Sequence, residues 1–361
     1  MKIFLRASLV TCVLFLSFRF SALSASTPNE YKLIKTYTLG GEGGWDSITL
    51  DEPTRRLFLA HTAHVNVVNA DNGSLIGEIS DLRLAHGVAI VKEFGRGFVS
   101  DGGGDKVVIF DLATLKVLGE VKTGGNPDCI IYDPASKHIF TFNGRTHDAT
   151  VIDPASGVVI ATVPIGGRPE YAVADGHGII YNNIGDTNEV VALDSRSLKI
   201  KFRWPIAPGT MATAIAMDQK HRRLFIGGRN KTLVIMNADD GKIVQTFAIG
   251  AGVDTNIYEP RRHLVFTSTR EGMIHIFHEE SPDKFSAVAT VKTQPGAHTM
   301  AFDPKTEHLF LDTADFDPGN TTNESSSSQQ PNVFDHAAGG FHSMGIARSM
   351  TFRLLVYGKR R

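Results

Sequence analysis

Six ionisable residues stand at matching places along this chain: Asp46, His86, Asp128, Glu170, Asp254 and His298, with Thr213 at the one remaining place. Brought to one point, four carboxylates and two imidazoles would make a polar pocket for a hard cation or a small anion. Carboxylates joined by asparagine oxygens suit calcium or magnesium, whereas two imidazoles with a carboxylate suit zinc. Asn143, Arg145, Asn183 and Arg229 lie in segments expected to reach the same region, as do His61, His64, His147, Asn182 and Arg270. A plainer role competes. An acid that follows proline, as in Pro127-Asp128 and Pro169-Glu170, can accept backbone N–H bonds and tie down a loop. His61-x-x-His64 has metal-site spacing, but two rings on a hairpin loop need not converge, so ordinary surface histidines are expected. Asp101-Gly-Gly-Gly-Asp105 is expected to form a flexible hairpin tip.

The elements that position these residues follow from a repeat. WDSITLDEPTRRLFLAH (45–61), PDCIIYDPASKHIFTFN (127–143), PEYAVADGHGIIYNN (169–183), ATAIAMDQKHRRLFIGG (212–228), VDTNIYEPRRHLVFTST (253–269) and AHTMAFDPKTEHLFLDT (297–313) share one pattern. Each has an apolar strand, an acidic turn at Asp51, Asp133, Asp175, Asp218, Glu259 or Asp303, and a second strand. AHGVAIVKEFGRGFVSD (85–101) is a weaker seventh copy. The second half of each unit, for example VNVVNADNGSLIGEI or LVIMNADDGKIVQTF, adds two more strands around an Asp/Asn-Gly turn. Four-stranded units repeated seven times predict an all-β fold, a seven-bladed β-propeller of four-stranded antiparallel blades. YKLIKTYTL (31–39) and FRLLVYG (352–358) are spare strands at the two ends, and together they would close the last blade from both termini. Six blades, with the degenerate 81–121 unit a long connection, is the alternative.

GGEGGWD (40–46) raises the question of a phosphate-binding loop, which would have to follow a strand and open a helix. The residues after Asp46 alternate and turn without helical period. The stretch instead matches KTGGNPD, PIGGRPE and AIGAGVD, the recurring connection between units, so no nucleotide cofactor is expected. Trp45 is expected to pack between the first and last blades rather than to stack on a ligand. In the channel geometry of a propeller the six ionisable residues share one face with the loops between second and third strands. The opposite face carries hairpin turns such as Asp71-Asn72-Gly73, Asp153 to Gly157 and Asp239-Asp240-Gly241, which turn geometry explains.

Composition sets outer limits. The chain of 361 residues is 42% hydrophobic with a net charge of −1, a foldable balance that lends no bulk attraction to nucleic acid or anionic membrane. Lys2 and Arg6, an apolar run from Ala7 to Phe18 and small residues beyond read as a signal peptide over 1–25, too short for a comfortable span. A periplasmic or extracellular protein with no membrane span after cleavage is expected. Its one remaining cysteine, Cys129, lies in an apolar strand and reads as a buried, inert thiol. Residues 31–358 form one domain, and the Ser-rich stretch 316–350 predicts a disordered loop inserted in the last blade. No G-x-S-x-G elbow, H-E-x-x-H pair or P-loop occurs.

Strand pairs of the form I-x-x-D-P followed by [IVL]-[FY], then V-x-V-[IVF]-D-x-x-[TS]-G, resemble the YVTN-repeat β-propellers. GGEGGWD, FTFNGRTHDATVID (140–153), VVALD (190–194), HRRLFIGGRNK (221–231) and SPDKFS (281–286) are similar to the exported YncE-like group within them. The resemblance covers 31–315 and 352–358. It implies the fold and export, but mostly no assigned activity. The wider superfamily includes lactonase-type propellers, the N-terminal domain of nitrous-oxide reductase and quinohaemoprotein amine dehydrogenase subunits, so the scaffold hosts unrelated chemistry. The haem-attachment C-x-x-C-H motif is absent, and no haem is expected. The leading expectation is a monomeric, non-enzymatic binding or interaction module for an unknown small molecule or protein. The alternative is a metal-dependent lactonase-type hydrolase, with Asp46, Asp128, Glu170 and Asp254 as ligands of a divalent cation or as the base and with His86 or His298 moving protons. Single-strand nucleic-acid binding would need a basic groove, which the acidic ring opposes.

Overall fold

Every repeat folds as a four-stranded antiparallel sheet, because alternating apolar residues and tight turns leave the backbone that option. In the computed structural model, which describes residues 31–317 and 347–359, seven such sheets are present. The expected signal peptide and most of the expected 316–350 loop lie outside the described residues. The 81–121 unit is a full blade, with strands Ala85–Val91, Arg96–Asp101, Lys106–Asp111 and Val117–Lys122. Seven blades are therefore present, not six. No helix among the described residues is long and apolar enough to cross a membrane.

The last blade is closed by both chain ends. Its order from the centre outward is Met300–Asp303, His308–Thr313, Arg353–Lys359 and Tyr31–Thr38. Tyr31 pairs with Lys359 and Thr38 with Arg353, so among the described residues the first strand covers the edge that the last strand would expose.

Blades stack face to face, which is why second and third strands are buried on both sides while fourth strands are largely exposed. An aromatic residue near the start of each second strand fills the space between blades: Phe58, Phe98, Phe140, Tyr181, Phe225, Phe266 and Phe310, each at most 1% exposed. Burial of one such ring contributes about 2–3 kcal/mol. Trp45 joins Phe310, Phe352 and Leu57 in the core between the last and first blades. Its Nε1 donates to the Gly296 carbonyl at 3.3 Å, and its ring stacks 6.2 Å from that of His298. The packing role expected for Trp45 is the one observed. Cys129 is buried, and burial pushes its thiol well above the ordinary range.

The acidic turns lie on the face opposite the glycine-rich connections. Asp133 accepts from the Ser136 amide at 2.9 Å, and Thr54 and Thr306 hydroxyls donate to Asp51 and Asp303, both at 2.5 Å. Cations bridge these turns between blades: Arg55 to Asp303 at 2.5 Å, Lys92 to Asp51 at 2.9 Å and Arg222 to Asp175 at 3.3 Å.

Two loop expectations are corrected. His61 is fully buried rather than on the surface, because its ring stacks 4.1 Å from Phe352 and fills the space beside Gly41. Gly41 has φ +100°, and a Cβ there would lie 2.7 Å from the His61 ring. Burial, with the charge of neighbouring His64, lowers the His61 imidazole to about 4. Asp101 is likewise buried and accepts from the Arg83 and Leu84 amides at 2.9 and 2.8 Å, so the triple-glycine turn is tied down.

Candidate functional site

The first strand of each blade begins at the channel, and its opening residues present the ring. His86, Asp128, Glu170 and Asp254 sit near the starts of strands Ala85–Val91, Pro127–Asp133, Pro169–Ala174 and Val253–Glu259. Asp46 and His298 lie in the connections just before strands Ile48–Asp51 and Met300–Asp303. Small polar side chains hold the ring backbone in place by binding its carbonyls. Ser47 Oγ donates to His86 O at 2.5 Å, Ser100 Oγ to Asp128 O at 2.6 Å and Ser268 Oγ to His298 O at 2.5 Å. Asn182 Nδ2 reaches Glu170 O at 2.8 Å, and Asn183 Nδ2 reaches Thr213 O at 2.9 Å. Apart from the Asn182 bond, each crosses from one blade to the next, so the fold fixes the ring before any side chain of the ring interacts. Ser268→Ala is expected to cost about 1 kcal/mol, read as a lowered urea midpoint, because it leaves the buried His298 carbonyl without that donor.

Within the ring the charges sort into two groups. His86 Nδ1 lies 2.6 Å from Asp46 Oδ2 and 3.6 Å from Asp128 Oδ1. Burial disfavours the imidazolium, but the Asp128 charge and the Asp46 hydrogen bond outweigh it and raise His86 to about 9. Burial, opposed by His86 and reinforced by Asp46 and Asp254, raises Asp128 to about 6. Glu170 is raised to about 8, first by burial and next by the Asp128 charge, despite Arg229 and Arg168. Arg168 approaches Glu170 Oε1 at 3.1 Å. On the other side, His298 Nδ1 donates to Asp254 Oδ2 at 2.7 Å. Burial alone would raise Asp254, yet His298, Arg270 and Arg229 hold it below the usual carboxylate value. Burial and Arg270 lower His298, so it serves as a neutral N–H donor.

The structure adds residues that were not singled out from the sequence. Tyr171 OH donates to Asp46 Oδ1 at 3.2 Å, a bond that spans the channel from the fourth blade to the first. It bounds a cavity of about 190 Å³ lined by Ser47, Thr49, His86, Asp128, Cys129, Thr255 and Met300 among others. The signal was available: the position after the ring residue is Ser47, Gly87, Cys129, Ala214, Thr255 and Thr299 in the other units, so the fourth unit alone places an aromatic residue beside the ring. Asp312 is a second addition, fully buried, bound by Thr299 Oγ1 at 2.7 Å and raised well above the ordinary value by burial.

Of the other residues assigned to this face, Arg229 reaches the ring, with its Nε donating to Thr213 Oγ1 at 3.0 Å. Asn143 is buried and donates to Asp148 and Thr150 of its own blade, at 2.6 and 2.9 Å. Asn183 is spent on inter-blade carbonyls, and Arg145 pairs with Asp105 at 2.5 Å toward the rim. The two ring imidazoles contact different carboxylates. Donor atoms of Asp46, His86 and Asp128 lie within 4.8 Å of one another, whereas His298 belongs to Asp254.

No protein-family model matches the sequence, and no curated protein matches it by sequence. Solved structures match by shape. Hydrazine synthase of Kuenenia stuttgartiensis aligns at TM-score 0.66 and 14% identity, over 75% of this chain and 92% of that one. A chain of a mitotic checkpoint complex aligns at TM-score 0.69 and 16% identity, over 85% and 96%. The U3-55K structure aligns at TM-score 0.69 and 7% identity, over 90% and 98%. Identities this low speak to architecture alone. By its seven closed blades and by these likenesses, the chain is a seven-bladed β-propeller.

Proposed function

We propose that this chain is an exported binding protein of the YVTN-repeat, YncE-like kind that holds a compact ligand through a cationic group over its channel. The observation that carries the reading is the crowding of carboxylates in the ring, Asp128 beside Asp46 and Glu170 beside Asp128, where burial and repulsion keep two carboxyls partly protonated at neutral pH. A cation placed there relieves the repulsion and displaces those protons. Balanced charge and a rigid polar face support a binding scaffold, and the basic and apolar N-terminal segment supports export.

The test is linkage between binding and protons. Small amines, basic peptides, Ca²⁺ and Mg²⁺ would be screened by thermal shift, since a ligand of the folded state raises stability by RT ln(1 + [L]/Kd). For a cationic hit that displaces the Glu170 proton, affinity is expected to rise about fiftyfold between pH 6 and pH 8 as Glu170 ionises. Calorimetry in buffers of different ionisation heat should register proton release. Affinity that is flat with pH, or hits confined to anions, overturns the reading. N-terminal sequencing of secreted material tests export, which requires loss of a segment ending near residue 25.

The Asp46–His86–Asp128 cluster favours a second reading, a metal-dependent hydrolase. There a divalent ion has to displace the proton that His86 Nδ1 shares with Asp46, 3.6 Å from Asp128. Turnover of lactones or esters that is abolished by chelator and restored by the ion would select it.

A further inference from the structure

The turn face carries a second cluster between the fifth and sixth blades, built from Asp218, His221, Tyr258, His263 and Glu279. His221 Nδ1 lies 2.6 Å from Asp218 Oδ2 and 3.1 Å from Glu279 Oε1. His263 Nδ1 lies 3.4 Å from Glu279 Oε2, and Tyr258 OH donates to that same oxygen. The imidazoles are stacked 6.1 Å apart, and donor atoms of His221, His263 and Glu279 all lie within 4.8 Å of one another.

Glu279 is the anomaly. Its amide donates to the His263 carbonyl, as the amides of Ala70, Leu112, Ser195 and Ala238 do to the equivalent turn carbonyls of other blades. Those blades place a small or apolar residue here, whereas this one buries a carboxylate that is 3% exposed. Asp218 is 2% exposed. In four other turns the acid meets a guanidinium or ammonium: Asp51 meets Arg56 and Lys92, Asp175 meets Arg222, Glu259 meets Arg261, and Asp303 meets Arg55. Among the described residues, the ion pairs of Asp218 and Glu279 run to imidazoles instead. Two buried carboxylates share two imidazoles, and His221 Nδ1 faces both acids with at most one proton to give.

We infer that His221, His263 and Glu279, with Asp218, form a zinc-class metal site that staples the fifth blade to the sixth. Two imidazole nitrogens and carboxylate oxygens are a donor set suited to Zn²⁺. Ligand-to-ligand edges around a tetrahedral zinc are about 3.3 Å, given Zn–N and Zn–O bonds near 2.0–2.1 Å. Glu279 spans the two imidazoles with its two oxygens, Oε1 at 3.1 Å from His221 Nδ1 and Oε2 at 3.4 Å from His263 Nδ1, and each separation is close to that edge. Asp218 has to open by roughly 0.7 Å to become the fourth ligand. The Tyr258 hydroxyl donates to Glu279 Oε2 and lies 3.1 Å from His263 Nδ1, so it has to release that nitrogen to the metal and keep its bond to the carboxylate, as outer-shell partners of metal ligands do.

The experiment is titration of chelator-stripped mature protein with Zn²⁺ alone at pH 7, followed by calorimetry, and with Co²⁺, followed by visible absorption. Wild type is expected to bind one equivalent at this site and to give the intense bands of four-coordinate cobalt. Glu279→Ala should fold, because Ala70 and Ala238 occupy that position in two other blades, and should bind at least 100-fold more weakly without those bands. His263→Gln should behave alike, while Asp128→Asn should bind as wild type. Absence of binding by wild type, or wild-type affinity in Glu279→Ala, overturns the inference. Loss in Asp128→Asn with retention in Glu279→Ala also overturns it and moves the metal to the channel ring.

Discussion

Trp45→Ala is expected to destabilise the protein by about 3–5 kcal/mol, the cost of deleting a large buried aromatic side chain. Trp45 is 7% exposed and touches the seam where the ring closes, against Phe316, Phe352 and His298. Truncation leaves a cavity between the first and last blades, and the Gly296 carbonyl loses its indole donor. Trp204 is the control, since it is half-buried on the outer strand Lys199–Pro205 and stacks on exposed Phe202. Trp204→Ala should cost less than half as much. Urea denaturation followed by circular dichroism gives both numbers. Equal costs for the two variants would mean that the seam is no more tightly packed than the periphery.

The Asp128→Asn, Glu170→Gln double variant should show two large effects of opposite sign. Binding of a cationic ligand falls at least 100-fold, because each carboxylate about 4 Å from a cation is worth several kcal/mol in a medium of intermediate dielectric. Stability at alkaline pH rises. The folded state raises Glu170 from 4.5 to about 8 and Asp128 from 3.8 to about 6, so it binds these protons more tightly than the unfolded chain. The contribution is therefore complete below the unfolded values and is lost as pH climbs to 6 for Asp128 and to 8 for Glu170. Asn and Gln do not ionise, so the variant escapes that loss. Its advantage over wild type should be smallest near pH 4 and reach about 2–4 kcal/mol at pH 8. On the acid side both proteins share the opposite trend from His61, which is lowered to about 4 and loses stability as pH falls below 6.5. Urea midpoints across pH 4 to 9 decide the matter. A constant difference between the two proteins would show that Asp128 and Glu170 do not titrate in the folded ring as described.

Blade number, closure by both termini and the circular order of the ring were legible in the sequence, because each is written in local chemistry. Alternating apolar residues, an acid that caps a turn and a glycine at a connection act within a few neighbours, and repetition makes them readable seven times over. The pairing of the ring residues was not legible, since it depends on which groups the stacked blades bring within hydrogen-bonding reach. Tyr171 meets Asp46 across 125 residues, and His86 settles between two acids while His298 serves a third. Asn143 and Asn183 were readable as polar residues on the right face, but whether an amide serves a ligand or a carbonyl next door is decided by packing. The turn face shows the same division. Its hairpin turns follow from Asn and Asp capping, as where Asn69 Oδ1 accepts from the Asp71 and Asn72 amides. The cluster around Glu279 arises only because His221, 58 residues away on the preceding blade, is folded against it. Local propensity determines the blades, whereas the charge state and the partners of a buried side chain belong to the assembled ring, where burial and distance set every electrostatic energy.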